Sequence, residues 1–315
     1  MIVNIIMFFT MYPVLLVLYF CFRGQYQYAD GCLFAVNMKP EWIKEPEVAA
    51  IVEKFRREMK QYFIFLLIVP LSSFLTKHMS IQLTIWMMWI LIAIVLLCLP
   101  LVHANSGLKR WKTEHCLYET EKTEHRIELK AVDEAKRELN DNADDDRHWI
   151  WGIFYYNPAD RHSMVPKKAG MGTTMNLATP VGKGSAILGA VVLMVMIPAM
   201  CIWLILDEFT PIRLAVEDEI LYAKHLNVDY EIQVEDIEHV EKITELPSWS
   251  KSSGTAMDTL EKGTFFIRNV GKCEVFLNPE NTEFLHFSAD GTDYYMSGSD
   301  DAQTEEIYQI IQNRE

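Results

Sequence analysis

Four stretches of the chain carry no Asp, Glu, Lys or Arg: residues 2–21, 62–76, 82–102 and 185–206. The 315 residues nevertheless hold 43 acidic and 29 basic side chains. Half the residues are hydrophobic, so charge and apolar surface must lie in different places. Three of the stretches reach the ~20 residues that cross the hydrocarbon of a bilayer. The stretch 62–76 is short. It can be lengthened at its start, because the Lys60 stem can run along apolar surface while its ammonium reaches the interface. Taken alone it also fits a buried helix of a soluble protein, but three full-length neighbours favour a span. The expected fold is therefore an α-helical membrane protein with four transmembrane helices. These are 1–21, a hairpin of two helices over 62–102, and 185–206, joined by loops 22–61 and 103–184 and followed by a domain over 210–315.

The first stretch has no basic residue before its apolar run and no small-residue cleavage site after it, so it is expected to stay as an anchor. Pro13, Pro70, Pro100 and Pro198 fall inside the spans, where membrane helices tolerate them as kinks. Lys and Arg set the expected orientation. The loop 22–61 has seven and the loop 103–184 has thirteen, whereas the turn between the second and third spans has only Lys77. Both long loops are expected in the cytoplasm, which places the C-terminal domain outside. From residue 207 onward there are 24 acidic and 8 basic side chains, a net charge of −16. Such a domain is repelled by nucleic acid and by anionic membrane surfaces, so no nucleic-acid partner is expected.

The first loop reads as a short extended piece broken by Pro40, then a helix from Pro46 with Val48, Ile51, Val52, Phe55 and Met59 at helical spacing. That helix fits an amphipathic element on the membrane surface and equally a plain lead-in to the second span. In the second loop, His115 and Glu119 share a helical face, but a carboxylate and an imidazole on a charged helix read as solvated. Asp144, Asp145 and Asp146 lack the glycine and distant Glu of a calcium loop and read as a hydrated turn. Gly182-Lys183-Gly184-Ser185 lacks the upstream glycine of a phosphate loop. The six cysteines show no zinc-site spacing, and Cys273 stands alone in the C-terminal part.

Residues 149–183 hold the densest run of aromatics. Trp149, Trp151, Phe154, Tyr155 and Tyr156 are of the kind that sit at headgroup depth. Asn157-Pro158-Ala159-Asp160 signals a turn. Lys167 and Lys168 can reach anionic headgroups, and Gly170 and Gly172 permit close approach of neighbouring helices. The stretch resembles an uncharacterised family of multi-pass membrane proteins from Gram-positive bacteria. The resemblance is carried by Asn157, Pro158, Asp160, Val165, Pro166, Lys167, Gly170, Gly172, Thr174 and Asn176. The upstream piece from Gly31 to Val48 is similar to another part of that family, with Ala35 where glycine is usual. The resemblance implies an interfacial motif and no activity.

The C-terminal part reads as β-rich with one closing helix. Strands are expected over 212–216, 220–226, 230–234, 237–243, 265–270 and 273–277. Asp290-Gly291 marks a two-residue hairpin turn that sets Phe287 opposite Tyr294 and Leu285 opposite Met296 on one face, and His286, Ser288, Asp293, Tyr295 and Ser297 on the other. A last helix, capped at Asp300 or Asp301, carries Ile307, Ile310 and Ile311 as its stripe. This arrangement resembles the bacterial pleckstrin-homology-like domain. Lipid-phosphate binding, known for some relatives, would require a basic pocket, and the acidic sequence offers no evident one, so the resemblance points to protein binding or self-association.

No nucleophile elbow, zinc-protease helix or phosphate loop occurs. Glu217, Asp218 and Glu219 read as solvated, and His225, His239 and His286 have no paired acid or nucleophile nearby in sequence. No catalytic residue, metal ligand or cofactor site is assigned, and the protein is expected not to be an enzyme. The partners expected are the lipid bilayer and a protein, or a second copy of the chain. The leading expectation is a non-enzymatic protein of the bacterial cell membrane that senses or scaffolds through its acidic C-terminal domain. Protection against a membrane-active peptide is the alternative. A transporter or a membrane hydrolase fits less well, because no span carries a charge to mark a path.

Overall fold

The computed structural model describes residues 2–24, 27–29, 31–118, 146–168, 172–268 and 270–313. The chain divides into two compact units: residues 2–72 with 85–198, and residues 73–84 with 199–315. Four helices are long and apolar enough to cross a membrane.

The first unit is built on helix α1 (Ile2–Arg23), helix α2 (Pro46–Ile68) and most of helix α3 (Met79–Glu114). Pro46 starts α2 at its first turn, where a missing N–H costs nothing. The helix then runs unbroken into the second span. Val48, Phe55 and Met59 are buried in the core with Phe34, Trp86, Trp89 and Leu97. Val48, Phe55 and Met59 of this helix thus pack on protein.

After Ile68 the backbone tightens into a 3-10 helix, Val69–Leu75. The cause is Pro70. It has no N–H to give to the carbonyl four residues back, Leu66. Trp89 Nε1 donates to Leu66 O at 2.9 Å, and Tyr12 Oη donates to Leu67 O at 2.5 Å. Trp86 Nε1 donates to buried Asn4 Oδ1 at 3.1 Å. In hydrocarbon, where no water can serve these groups, such bonds join the three helices.

Two short hairpins complete this unit's scaffold: β1 (Cys32–Leu33) with β2 (Val36–Asn37), and β3 (Trp149–Ile150) with β4 (Phe154–Tyr155). A third, β5 (Met164–Pro166) with β6 (Thr173–Met175), leads to the last of the four long apolar helices, α4 (Pro180–Phe209). A π-helical turn at Val192–Met196 precedes Pro198, whose absent N–H and ring bulk account for it.

In the second unit, β7 (Arg213–Glu217), β8 (Ile220–His225) and β9 (Asn227–Gln233) form an antiparallel sheet. The remaining strands are β10 (Ile237–Ile243), β11 (Trp249–Ala256), β12 (Glu261–Ile267), β13 (Gly271–Leu277), β14 (Phe284–Ala289) and β15 (Thr292–Met296). They form a six-stranded sheet in the order β10-β14-β15-β13-β12-β11, with β13 parallel to β15. Helix α5 (Asp301–Gln312) closes the domain, and Asp300 caps it by accepting from Gln303 N. Ile307 and Ile311 are buried against Leu285, Phe287 and Met296, with Ile310 partly buried beside them.

The β14–β15 register is the expected one, Phe287 opposite Tyr294 and Leu285 opposite Met296, around Asp290 and Gly291 at φ +52° and +71°. Two expectations are corrected. Tyr295, on the face opposite the Phe287–Tyr294 pair, is not left to solvent but is buried in a second core with Phe265, Val275 and Phe284. It is covered by Trp249, whose ring packs edge-on against Tyr295 with centroids 5.4 Å apart. Strand β11 itself was missed, because Ser250–Ser253 and Gly254 are polar or small on both faces.

Candidate functional site: the loop motif and the domain junction

Asn176 organises the motif of the first unit. It is fully buried. Its Oδ1 accepts from Asn157 N and Ala178 N, both at 3.0 Å, and its Nδ2 donates to Asn157 O and Asp160 O, both at 2.9 Å. Every hydrogen-bonding site of the amide is thus used. Asn157 Oδ1 accepts from Ala159 N at 2.9 Å and closes the turn at exposed Pro158. Its Nδ2 donates to Tyr155 Oη at 3.1 Å, and that hydroxyl donates to Asp160 Oδ2 at 3.3 Å. Burial pushes the Asp160 carboxyl up, but the His162 N–H, ring and charge and the Tyr155 hydroxyl outweigh it and hold it below the ordinary carboxylate range.

The same knot starts α4. Thr179 Oγ1 donates to Asn176 O at 2.8 Å and accepts from Gly182 N at 3.2 Å, with Pro180 in the first turn. A Cβ at Gly182 would lie 2.0 Å from Asn176 O, so only glycine fits there. The motif residues therefore fold the loop onto the start of the last membrane helix.

Val165 is buried with Trp149 and Tyr155, and Thr174 pairs with it across β5 and β6, with Pro166 opposite Thr173. Lys167 is exposed, and its N–H donates to Gly172 O at 3.0 Å. Gly170 lies outside the described residues, as do Glu119, Asp144 and Asp145. Four expectations change here. Trp149 and Tyr155 are 2% and 0% exposed, so they face protein; Trp151, Phe154 and Tyr156 stay exposed. No atom lies within 4 Å of a Cβ built at Gly172, so its φ of +104°, not a helix contact, calls for glycine. Lys168 does not extend to headgroups: its ammonium is buried on Asp146 Oδ1. Asp146 is no hydrated turn either. It is 3% exposed and also accepts from Asn37 N at 3.0 Å and from Lys112 Nζ at 3.1 Å. Ala35 sits at φ +57° in the turn between β1 and β2, a backbone region that favours glycine.

The second unit holds a cluster that was not anticipated. Asp207 and Glu208 close α4. The Glu208 carboxylate is buried and accepts from Ser80 N at 2.6 Å and Met79 N at 3.2 Å, with His78 Nδ1 at 3.2 Å. It caps the N-terminus of α3 from another helix, where free N–H groups and the helix dipole favour negative charge. Thr259 Oγ1 donates to Glu208 O at 2.7 Å, and Thr255 Oγ1 donates to Asp207 Oδ2 at 3.3 Å. His225 is 1% exposed. Its Nε2 lies 3.0 Å from Asp207 O and its Nδ1 3.1 Å from Lys262 Nζ. Burial, and then the Lys262 charge, hold its pKa below the ordinary histidine value. The neutral ring donating from Nε2 and accepting at Nδ1 satisfies both contacts. His286 likewise meets an acid that sequence order concealed, with Nδ1 2.8 Å from Glu241 Oε1 across β10 and β14.

Membrane-crossing helices followed by a β-rich domain with a closing helix define a helical membrane protein that carries a PH-like domain. Residues 212–309 match the bacterial PH domain family. Residues 158–183, which begin within the Asn157–Asn176 knot and run into α4, match a family of unknown function (DUF5808). No curated protein and no solved structure matches the chain.

Proposed function

We propose that this is a non-catalytic protein of the bacterial cell membrane that senses or scaffolds through protein contacts of its acidic C-terminal domain. The clamp at Asp207 and Glu208 is the observation that supports this reading. Within one unit it bonds the β-rich domain to the end of α4 and caps the start of α3. A partner that seizes the domain thereby loads the ends of two membrane helices. The net charge of −16 after residue 206 selects a basic or cation-bridged partner rather than anionic lipid. Strand β11 is an outer strand of the six-stranded sheet, with an edge left unpaired among the described residues, and Phe266 and Val270 are 47% and 63% exposed. In this reading the domain lies outside the cytoplasm, in the envelope.

Photo-cross-linking from Phe266 and Val270 in living cells, read by mass spectrometry, tests the proposal. One protein, or a second copy, recurring at both positions is the expected result. Cross-links confined to lipid, or purified protein that turns over lipid or peptide, would overturn it.

A further inference from the structure

A separate inference concerns α1 and α2 and does not depend on the role of the PH-like domain. A groove of about 550 Å³ opens between them, and its lining includes the cations Arg23, Arg56 and Lys60 and the apolar side chains of Tyr19, Phe63 and Ile64. Its size falls in the range of small-ligand sites. No acidic side chain lines it. Arg23 and Lys60 make no ion pair or hydrogen bond among the described residues. The rings of Tyr19 and Phe63, one from each helix, stack at 4.1 Å between centroids in its lining.

The depth of the groove follows from the second span. From Tyr62 to Leu75 it has α-helical residues up to Ile68 and then seven in 3-10 geometry. That is roughly 24 Å of helix, against a hydrocarbon core of ~30 Å. A span this short draws its flanking residues toward the membrane or thins the bilayer around them. Lys60 stands two residues before it and Arg56 one turn further, while Arg23 ends α1 one turn after Tyr19. Three cations thus share one groove with apolar side chains, and a short span draws such flanking residues toward the headgroups.

We propose that this groove binds an anionic phospholipid, its phosphate between Arg23 and Lys60 and the first part of its acyl chains along Tyr19, Phe63 and Ile64. Each cation near an anionic headgroup adds to the attraction, and the apolar lining excludes a water-soluble phosphate that has no chain to place there.

The test is native mass spectrometry of the full-length protein in detergent. The probes are phosphatidylglycerol, phosphatidylcholine with the same chains, and glycerol 3-phosphate. Phosphatidylglycerol should be retained over phosphatidylcholine, and glycerol 3-phosphate should not displace it. R23Q with K60Q should lower retention roughly tenfold. R23K with K60R should keep it, and K44Q with K183Q, which removes two charges elsewhere, should also keep it. Equal retention of the two lipids, displacement by glycerol 3-phosphate, or equal losses in the groove and control variants would overturn the proposal. If the R23Q/K60Q protein fails to fold, Ile64→Trp fills the groove and leaves every charge in place. It should expel phosphatidylglycerol, and unchanged retention would refute the site.

Discussion

Trp89 donates its indole N–H to the carbonyl of Leu66, the group that Pro70 deprives of its helical donor. A proline in the second span and a tryptophan in the third are thus two halves of one arrangement. Trp89→Phe should leave a buried carbonyl unserved and cost about 1–3 kcal/mol. Restoring the backbone donor with Pro70→Ala should remove most of that cost. Unfolding of the parent, the two single variants and the double variant in mixed micelles of rising SDS content gives the cycle. An equal cost of Trp89→Phe with and without Pro70→Ala would show that the indole bond does not compensate for the proline.

Asn176→Ala removes four hydrogen bonds and strands Asn157 N, Ala178 N and two carbonyls. The expected loss exceeds about 3 kcal/mol. Lys167→Ala, at an exposed position of the same motif, should change stability by no more than about 0.5 kcal/mol. Thermal melts of the purified proteins distinguish a clasp from a binding surface: a motif kept for a ligand would show the two variants equally stable.

The contrast between those two residues also explains what could be read ahead of the structure. The spans, the β14–β15 register and a cap at Asp300 or Asp301 were legible because each rests on neighbours in sequence: an uncharged run, an Asp-Gly turn between alternating residues, an acid before a helical stripe. Asp146 was not, because Lys112 and Lys168 lie 34 and 22 residues away. Glu208 follows Asp207 directly after a span, and nothing local shows that its carboxylate ends against Ser80 N, 128 residues earlier in the chain. Strand β11 has little alternation to detect because it is an outer strand with solvent on much of both faces. The motif residues were picked out by resemblance, but their role as a clasp follows only from the fold.

His225 makes the second unit sensitive to acid. Its folded pKa lies below the unfolded value of about 6.5, so the unfolded chain binds more protons between the two. Its contribution is fully present above pH ~6.5 and is lost as pH falls toward the folded pKa, by at most about 1.4 kcal/mol per pH unit. His225→Gln should flatten that part of the stability profile between pH 7 and pH 5. Parallel profiles for parent and variant, followed by denaturant unfolding, would exclude His225 as the source.

Sidedness admits a direct test. With native cysteines replaced, a single Cys at exposed Ser252 should react with a membrane-impermeant maleimide in intact cells, and one at exposed Ser106 only after lysis. Labelling at Ser106 but not Ser252 in intact cells would reverse the orientation expected from Lys and Arg. A single Cys at Lys44 then separates the two ways of reversing it. It labels in intact cells if all four spans are inverted, and stays protected if the second span fails to cross.

The bond between Lys112 Nζ and Asp146 Oδ2, at 3.1 Å, bears on engineering. It fixes the exit and the return of the intervening chain at one place on the protein. Removing one partner of a buried ion pair leaves the other charge uncompensated and typically costs about 3–5 kcal/mol, so an engineered variant must keep both residues or replace both together.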